Sequence, residues 1–279
     1  MKYRHRYHAG NFADVHKHVT LLMLLEALQR KEKGFLYFET HAGRGTYDLA
    51  DSAIESRHGI ERLADADCAA PPLCRYLALL EQLRRARGSP RLYPGSPWLA
   101  ASVLRGQDRA VFVESLPEEA RALERSIRGV GPARMRVDVG DGFEQLRSSL
   151  PPLQGRALTL IDPPYEDTRR DFDRTGAALV DALARFPTGV IAIWYPVKIA
   201  AETRRWLDTL ARRVTRAMLA TEFRLYPADS RVALNGSGML IINPPYQLDT
   251  QLEECLAELY SRLAVGPDGG ISVRAIAAS

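Results

Sequence analysis

Short apolar runs alternate with longer amphipathic stretches along most of the chain. The first long stretch, residues 14–30, is apolar nearly all round through Val19, Leu21, Leu22, Met23, Leu24 and Leu25, which predicts a largely buried helix. Gly34-Phe35-Leu36-Tyr37-Phe38-Glu39 then reads as a strand. Further strands are predicted at residues 110–114, 135–139, 157–161 and 189–195, with helices over 117–128, 143–150, 176–186 and 199–214. Residues 222–226 and 238–242 read as a closing strand pair, followed by a helix over 247–263 and a short strand over 271–276. This alternation predicts an α/β fold with a mostly parallel sheet. The strand at 238–242 follows a hairpin-like connection and is expected to run antiparallel.

The rhythm breaks between Asp48 and Arg91. That segment holds a helical pattern over 73–83, ending in Arg84-Arg85-Ala86-Arg87 before Gly88-Ser89-Pro90. We read 48–91 as a helical insertion subdomain, and 1–47 with 92–279 as the main domain, preceded by a basic, aromatic arm at 1–13. The Arg cluster either contacts RNA or is a solvated helix end that complements the macrodipole. After the insertion, Tyr93-Pro94-Gly95-Ser96-Pro97 predicts a helix start, with Ser96 as cap and Pro97 in the first turn.

Composition narrows the class. The 279 residues are 46% hydrophobic and 26% charged, ordinary for a soluble globular protein. A net charge of +4, with an isoelectric point of about 9.0, permits a polyanionic partner without requiring one. Three cysteines, Cys68, Cys74 and Cys255, show no metal-ligand spacing, and their odd number argues against a disulfide framework and for a reducing cytoplasm. No signal-type apolar core opens the chain, and no apolar run is long enough for a bilayer. Four of the six histidines fall within residues 1–18. His16 and His18 are two apart and do not share a helix face, so no metal site is expected there. The arm around Tyr3, Arg4, His5 and Arg6 is either a solvated tail or a contact for RNA or a cofactor.

The chemistry concentrates at strand ends. The run Leu158-Thr159-Leu160-Ile161 stops at Asp162-Pro163-Pro164-Tyr165. Two prolines end the strand and stiffen the turn, presenting Asp162 and Tyr165 at the sheet edge where open α/β folds bind ligands. The tetrapeptide is either an ordinary strand-ending turn or a site, and it resembles the (D/N/S)PP(Y/F/W) motif of enzymes that methylate exocyclic amino groups with S-adenosylmethionine. The residue types suit that reaction. An adenine amino nitrogen is a poor nucleophile, because its lone pair is conjugated with the ring. A carboxylate and a loop carbonyl that accept its hydrogens favour attack. An aromatic ring can stack on a base taken out of its helix. Asn243-Pro244-Pro245-Tyr246 fits the same pattern. However, it follows a strand expected to run antiparallel, so its end should lie at the opposite edge of the sheet, and we assign it as a structural exit turn.

Other strand ends fit a nucleotide-type cofactor. Thr40-His41-Ala42-Gly43-Arg44-Gly45 follows the first strand and is either a plain tight turn or a backbone bend around a ligand. Glu114 ends the second strand and can accept ribose hydroxyls. Asp141 follows the third and can accept from an adenine amino group, with Gly142 leaving space for the ring; turn chemistry is the alternative for both. Ser96, at a helix start, is either a cap or a partner for an anionic carboxylate.

Taken together, Tyr3-Arg4-His5, His8-Ala9-Gly10-Asn11, Ala13-Asp14-Val15, Lys17-His18, Thr40-His41-Ala42-Gly43, Tyr93-Pro94-Gly95-Ser96-Pro97, Asp141-Gly142-Phe143, Ile161-Asp162-Pro163-Pro164-Tyr165, Trp194-Tyr195-Pro196 and Ser237-Gly238-Met239 resemble the ribosomal RNA large subunit methyltransferase J family. The resemblance covers most of the chain and is weakest over 48–91. It implies a Rossmann-like methyltransferase sheet with an antiparallel last strand and an inserted helical subdomain. The implied reaction is transfer of a methyl group from S-adenosylmethionine to N6 of adenine 2030 in 23S ribosomal RNA, without a metal. It implies cofactor contacts at Lys17, His18, His41, Gly43, Ser96, Glu114, Asp141, Gly142 and Asp162. The catalytic loop would be Asp162, Pro163 and Tyr165, and the RNA contacts Tyr3, Arg4 and Tyr165. The expected protein is a cytoplasmic monomer whose partner is 23S ribosomal RNA, naked or in an early assembly intermediate. Glu39, before Thr40, stands where many relatives carry Asp. Two other readings remain: a DNA adenine-N6 methyltransferase, and a non-catalytic module that binds cofactor and RNA.

Overall fold

The computed structural model describes residues 8–52, 54–63, 67–227 and 234–277. Tyr3 and Arg4, with most of the arm, lie outside the described residues. The element order is α1 (Phe12–Gln29), β1 (Leu36–Glu39), β2 (Thr46–Asp48), α2 (Pro71–Arg87), β3 (Leu92–Pro94), α3 (Ser96–Val103), β4 (Arg109–Glu114), α4 (Pro117–Ile127), β5 (Arg134–Val139), α5 (Gly142–Ser149), β6 (Ala157–Ile161), α6 (Thr168–Arg185), β7 (Val190–Val197), α7 (Ala200–Ala211), β8 (Met218–Arg224), β9 (Gly236–Ile242), α8 (Leu248–Leu263) and β10 (Gly270–Ile276).

One eight-stranded sheet runs in the order β10-β8-β9-β7-β6-β1-β4-β5. The neighbours β7, β6, β1, β4 and β5 are parallel, whereas β9 is antiparallel to both β7 and β8, and β10 to β8. The strands alternate their side chains between two apolar layers, as the pleat requires. On one side Tyr37, Leu158, Leu160, Met239 and Ile241 pack with α1, α2, α3 and α8. On the other Phe38, Ile161, Leu240 and Ile242 pack with α6 and α7.

The first helix lies against this sheet rather than on its surface. Asn11 caps it by accepting from Asp14 N, and α1 touches α2, α3, α8, β6 and β9. That enclosure explains why its apolar residues surround the helix instead of forming a stripe. Replacing Leu22 or Leu24, both no more than 1% exposed, by Ala should cost about 2–5 kcal/mol.

The insertion differs in detail from a purely helical one. Short 3-10 turns at Leu49–Ser52, Ser56–His58 and Ile60–Leu63 precede α2. The two-stranded antiparallel ribbon β2–β3 closes its base. Two arginines of the cluster at the end of α2 have partners in the protein: Arg84 pairs with Glu81 and donates to Leu92 O, and Arg87 donates to Ser126 O, while Arg85 is exposed.

The expectation of no disulfide is corrected. Cys68 and Cys74 form a disulfide, because Pro71 starts α2 between them and brings their Cα atoms to 5.4 Å. An odd cysteine count left room for one such short-range pair, with Cys255 free and buried.

Candidate active site

The C-terminal ends of β1, β4, β5, β6 and β7 open on one cavity of about 670 Å³. That volume is within the range for a small-molecule site, roughly 300–1,000 Å³. Lys17, His18, His41, Gly43, Ser96, Glu114, Asp141, Gly142, Asp162, Pro163 and Tyr165 all line it. So the structure brings together every described residue nominated from sequence.

Helix α1 supplies a cation to the loop after β6. Lys17 Nζ donates to Asp162 Oδ2 at 2.7 Å and lies 2.9 Å from Asp14 Oδ1. Burial alone would lower the Lys17 pKa, but the Asp14 and Asp162 carboxylates outweigh it and hold the ammonium well above its usual range. Asp14 Oδ2 also accepts from Gly10 N, which fixes the chain entering α1.

The loop itself is stiff. Asp162 ends the run of β6, two prolines follow, and Tyr165 sits in the left-handed region at φ +45°. Lys198 Nζ, after β7, donates to Tyr165 O and lies near Thr168 Oγ1, each at 3.3 Å. The Tyr165 hydroxyl donates to Trp194 O at 2.8 Å. Here the structure departs from expectation: the Tyr165 ring is only 3% exposed and is held edge-on by Phe172 and Trp194. It braces the loop instead of offering an open stacking face.

Asn243 behaves as the exit turn it was assigned to be. Antiparallel β9 carries it to the opposite sheet edge, where Nδ2 donates to Pro187 O and Gly189 O. It is absent from the cavity lining.

The turn after β1 is built for close approach. Gly43 adopts φ +63°, and its N–H donates to Glu114 Oε2 at 2.8 Å. Glu114 Oε1 accepts from Leu116 N, so this carboxylate ties the β1 and β4 loops together while lining the cavity. Gly142 lies so near the first loop that a Cβ there would come within 1.9 Å of Thr40 O. Asp141 caps α5 by accepting from Phe143 N and Glu144 N, and its other oxygen pairs with Arg174 at 2.9 Å. Burial would raise the Asp141 pKa, but those backbone hydrogen bonds and Arg174 hold it below its usual value.

Ser96 is not the cap of α3. Gly95 takes the N-cap position, and Ser96 Oγ instead donates to Glu39 Oε1 at 2.5 Å. Tyr37 donates to the other oxygen of Glu39. Burial pushes the Glu39 pKa up to about 8, against the lowering effect of those two hydroxyls. On the same side, His18 Nδ1 is 3.0 Å from the Tyr93 hydroxyl, which accepts from Tyr76. His41 Nδ1 meets Thr40 Oγ1, and burial lowers its pKa to about 4, so it is neutral.

Residues outside the nominated set also line it, among them Asp14, Glu55, Phe143, Arg174, Trp194 and Lys198. Asp14 stands three residues before Lys17, the spacing at which two helical side chains meet, and that was the available signal. Glu55 accepts from Asn11 and pairs with His8, joining the insertion to the start of the chain at the cavity rim. No sequence pattern pointed to it.

A cradle of this kind suits S-adenosylmethionine. The bent Gly43 turn and the crowded Gly142 leave backbone where side chains would intrude. Acidic groups stand at the ends of β4 and β5, and the start of α3 faces the same space.

Comparison with known proteins agrees. Residues 32–277 match the family model described as Ribosomal RNA large subunit methyltransferase D, RlmJ. The chain is 38% identical over 273 residues to Ribosomal RNA large subunit methyltransferase J of Haemophilus influenzae, covering 96% of this chain and 95% of that one. It is 37% identical to the Escherichia coli protein of the same name, covering 98% of each. A crystal structure of a Legionella pneumophila protein superposes with a TM-score of 0.87 at 33% identity, covering 98% of this chain and 99% of that one. The chain therefore belongs to the ribosomal RNA large subunit methyltransferase J family, Rossmann-like enzymes that use S-adenosylmethionine.

Proposed function

We propose that this protein methylates the exocyclic N6 of one adenine in 23S ribosomal RNA, the adenine at position 2030 by family resemblance. The observation that carries this reading is the Asp162 carboxylate, held by Lys17 on a proline-stiffened loop at the floor of the cavity. When bound, S-adenosylmethionine supplies a methyl group on a sulfonium, already a good electrophile. Lys17, His18, His41, Gly43, Ser96, Glu114, Asp141, Gly142 and Asp162 would hold it.

The chain's own residues then have defined tasks. Asp162 accepts a hydrogen bond from the adenine amino group and stabilises the positive charge that develops on nitrogen as it attacks. Lys17 occupies one Asp162 oxygen and holds the group in place. Pro163, Pro164, the Tyr165 hydroxyl bond to Trp194 and the Lys198 bond to Tyr165 O keep the loop from shifting. Positioning supplies most of the rate, because the donor needs no further activation. Tyr3 and Arg4 are proposed to reach the RNA from the arm. The working compartment is the cytoplasm, where ribosomes are assembled.

The test is transfer of labelled methyl from S-adenosylmethionine to unmodified 23S ribosomal RNA, followed by identification of the modified nucleoside. N6-methyladenosine at a single site is expected. Labelling of duplex DNA instead, or of a different base, would overturn the proposal.

A further inference from the structure

His16 has no task in the site described above, although it is completely buried in α1 beside it. Its ring stacks on Phe223 of β8 with centroids 5.8 Å apart. Nδ1 lies 2.9 Å from Ser237 Oγ in β9, and Nε2 lies 2.9 Å from Thr221 Oγ1 in β8. Ser237 Oγ is also 2.9 Å from Trp194 Nε1 in β7. An indole N–H can only donate, so Ser237 accepts from Trp194. Directing the seryl hydrogen to His16 Nδ1 leaves His16 as the Nε2–H tautomer, donating to Thr221. Burial lowers the His16 pKa to about 3, so the ring is neutral and its nitrogens keep opposite roles. A chain of buried polar contacts thus runs from Thr221 through His16 and Ser237 to Trp194.

Trp194 is where that chain reaches the cavity. The indole is partly exposed and lines the space. Lys17 Nζ, bonded to Asp162, stands 5.9 Å from its ring centroid. Among the other partly exposed rings in the lining, His8 pairs with Glu55 at the rim, and His41 and Phe143 pack edge-on with centroids 5.1 Å apart at the Asp141 side, Arg174 lying 5.1 Å from the Phe143 ring. Tyr165 is buried. Trp194, beside the Lys17 ammonium that is bonded to Asp162, is therefore a ring placed to bear on a base whose amino group meets Asp162.

We propose that the target adenine packs against Trp194, and that Ser237 and His16 are positioning residues that fix the rotation of the indole. The inference rests on the reading of Asp162 as the acceptor for the adenine amino group. It gives a purpose to Ser237-Gly238-Met239, which the cofactor site does not use.

A double-mutant cycle tests it. Ser237→Ala, Trp194→Phe and the double variant are compared with wild type for binding of unmodified 23S ribosomal RNA in the presence of S-adenosylhomocysteine. Ser237→Ala leaves a donor without its acceptor and should weaken RNA binding about ten-fold. The double variant should bind no more weakly than Trp194→Phe alone, since phenylalanine has no N–H to orient. Affinity for S-adenosylhomocysteine should stay within about two-fold across the set, as for residues that do not touch it. Unchanged RNA binding by Ser237→Ala would overturn the inference, as would an equal loss in the Trp194→Phe background, which marks a general structural effect. Thermal denaturation of each variant checks folding. If wild type methylates no RNA, the functional reading itself fails; if wild type is active and the cycle is additive, only this inference does.

Discussion

Lys17 Nζ and Asp162 Oδ2 are 2.7 Å apart, which joins the first helix to the loop after β6 across 145 residues of sequence. Asp14 completes the cluster at 2.9 Å. All three side chains are largely shielded from water, with Lys17 6% and Asp162 14% exposed. A buried pair of this kind is costly to form, and costlier still to break on one side.

The first prediction follows from that asymmetry. Lys17→Met leaves two carboxylates facing each other without a cation, and should destabilise the fold by about 3–5 kcal/mol. Adding Asp14→Asn should recover part of the loss without restoring turnover, because Asp162 still lacks its partner. Urea denaturation with an activity assay reads both. An unchanged midpoint for Lys17→Met would show that the cluster is not energetically coupled.

Glu39 predicts a pH dependence. Its carboxyl is fully buried, and its pKa is raised from 4.5 to about 8. Between these values the folded state holds a proton that the unfolded state has released. The stability this group contributes is therefore complete below about pH 4.5 and is lost as pH rises through about 8. Glu39→Gln should flatten that part of the profile and raise the melting temperature at pH 8.5 relative to wild type. A profile with the same slope in the variant would rule Glu39 out as its source.

Asn243 separates structure from chemistry. Its side chain donates to Pro187 O and Gly189 O, and its backbone sits at φ +53°. Asn243→Ala should lower stability by about 1–3 kcal/mol through lost hydrogen bonds and a strained backbone. The methyl-transfer rate per folded molecule should be unchanged. A rate deficit in fully folded Asn243→Ala would place the second PPY motif in the reaction after all.

Gly142 reports on the cofactor cradle. A methyl group there would meet Thr40 O at 1.9 Å, so the β1 loop must shift to accept it. Gly142→Ala should cost about 1–3 kcal/mol of stability and weaken S-adenosylhomocysteine binding, measured by calorimetry. Wild-type affinity would show that this approach does not shape the cofactor site.

The sequence carried the layout because strand ends are punctuated. Glu39-Thr40, Glu114, Gly140-Asp141-Gly142 and Asp162-Pro163-Pro164 each close a strand with a charged residue, a glycine or a proline, and parallel pairing then delivers all of them to one edge. Relations across the sheet left no such trace. Nothing local to Lys17 indicates that it meets Asp162, since the contact exists only because α1 packs over β6 and β9. The burial of Tyr165 was equally hidden: it depends on Phe172 from α6 and Trp194 from β7 closing around the ring. Ser96 matched the pattern of a cap, but its hydroxyl is taken up by the buried Glu39 carboxyl group, and Gly95 holds the cap position instead. The β2–β3 ribbon was missed because strands of three residues carry almost no periodic signal.

The central claim is that Asp162 handles the amino group of an adenine in 23S ribosomal RNA. The most direct measurement is the rate of labelled methyl transfer to unmodified 23S ribosomal RNA by wild type, Asp162→Ala and Asn243→Ala, with folding of each verified by thermal denaturation. The account predicts N6-methyladenosine formed by wild type and by folded Asn243→Ala, and a rate lower by about a hundred-fold or more for Asp162→Ala. Asp162→Ala turning over at the wild-type rate would contradict it.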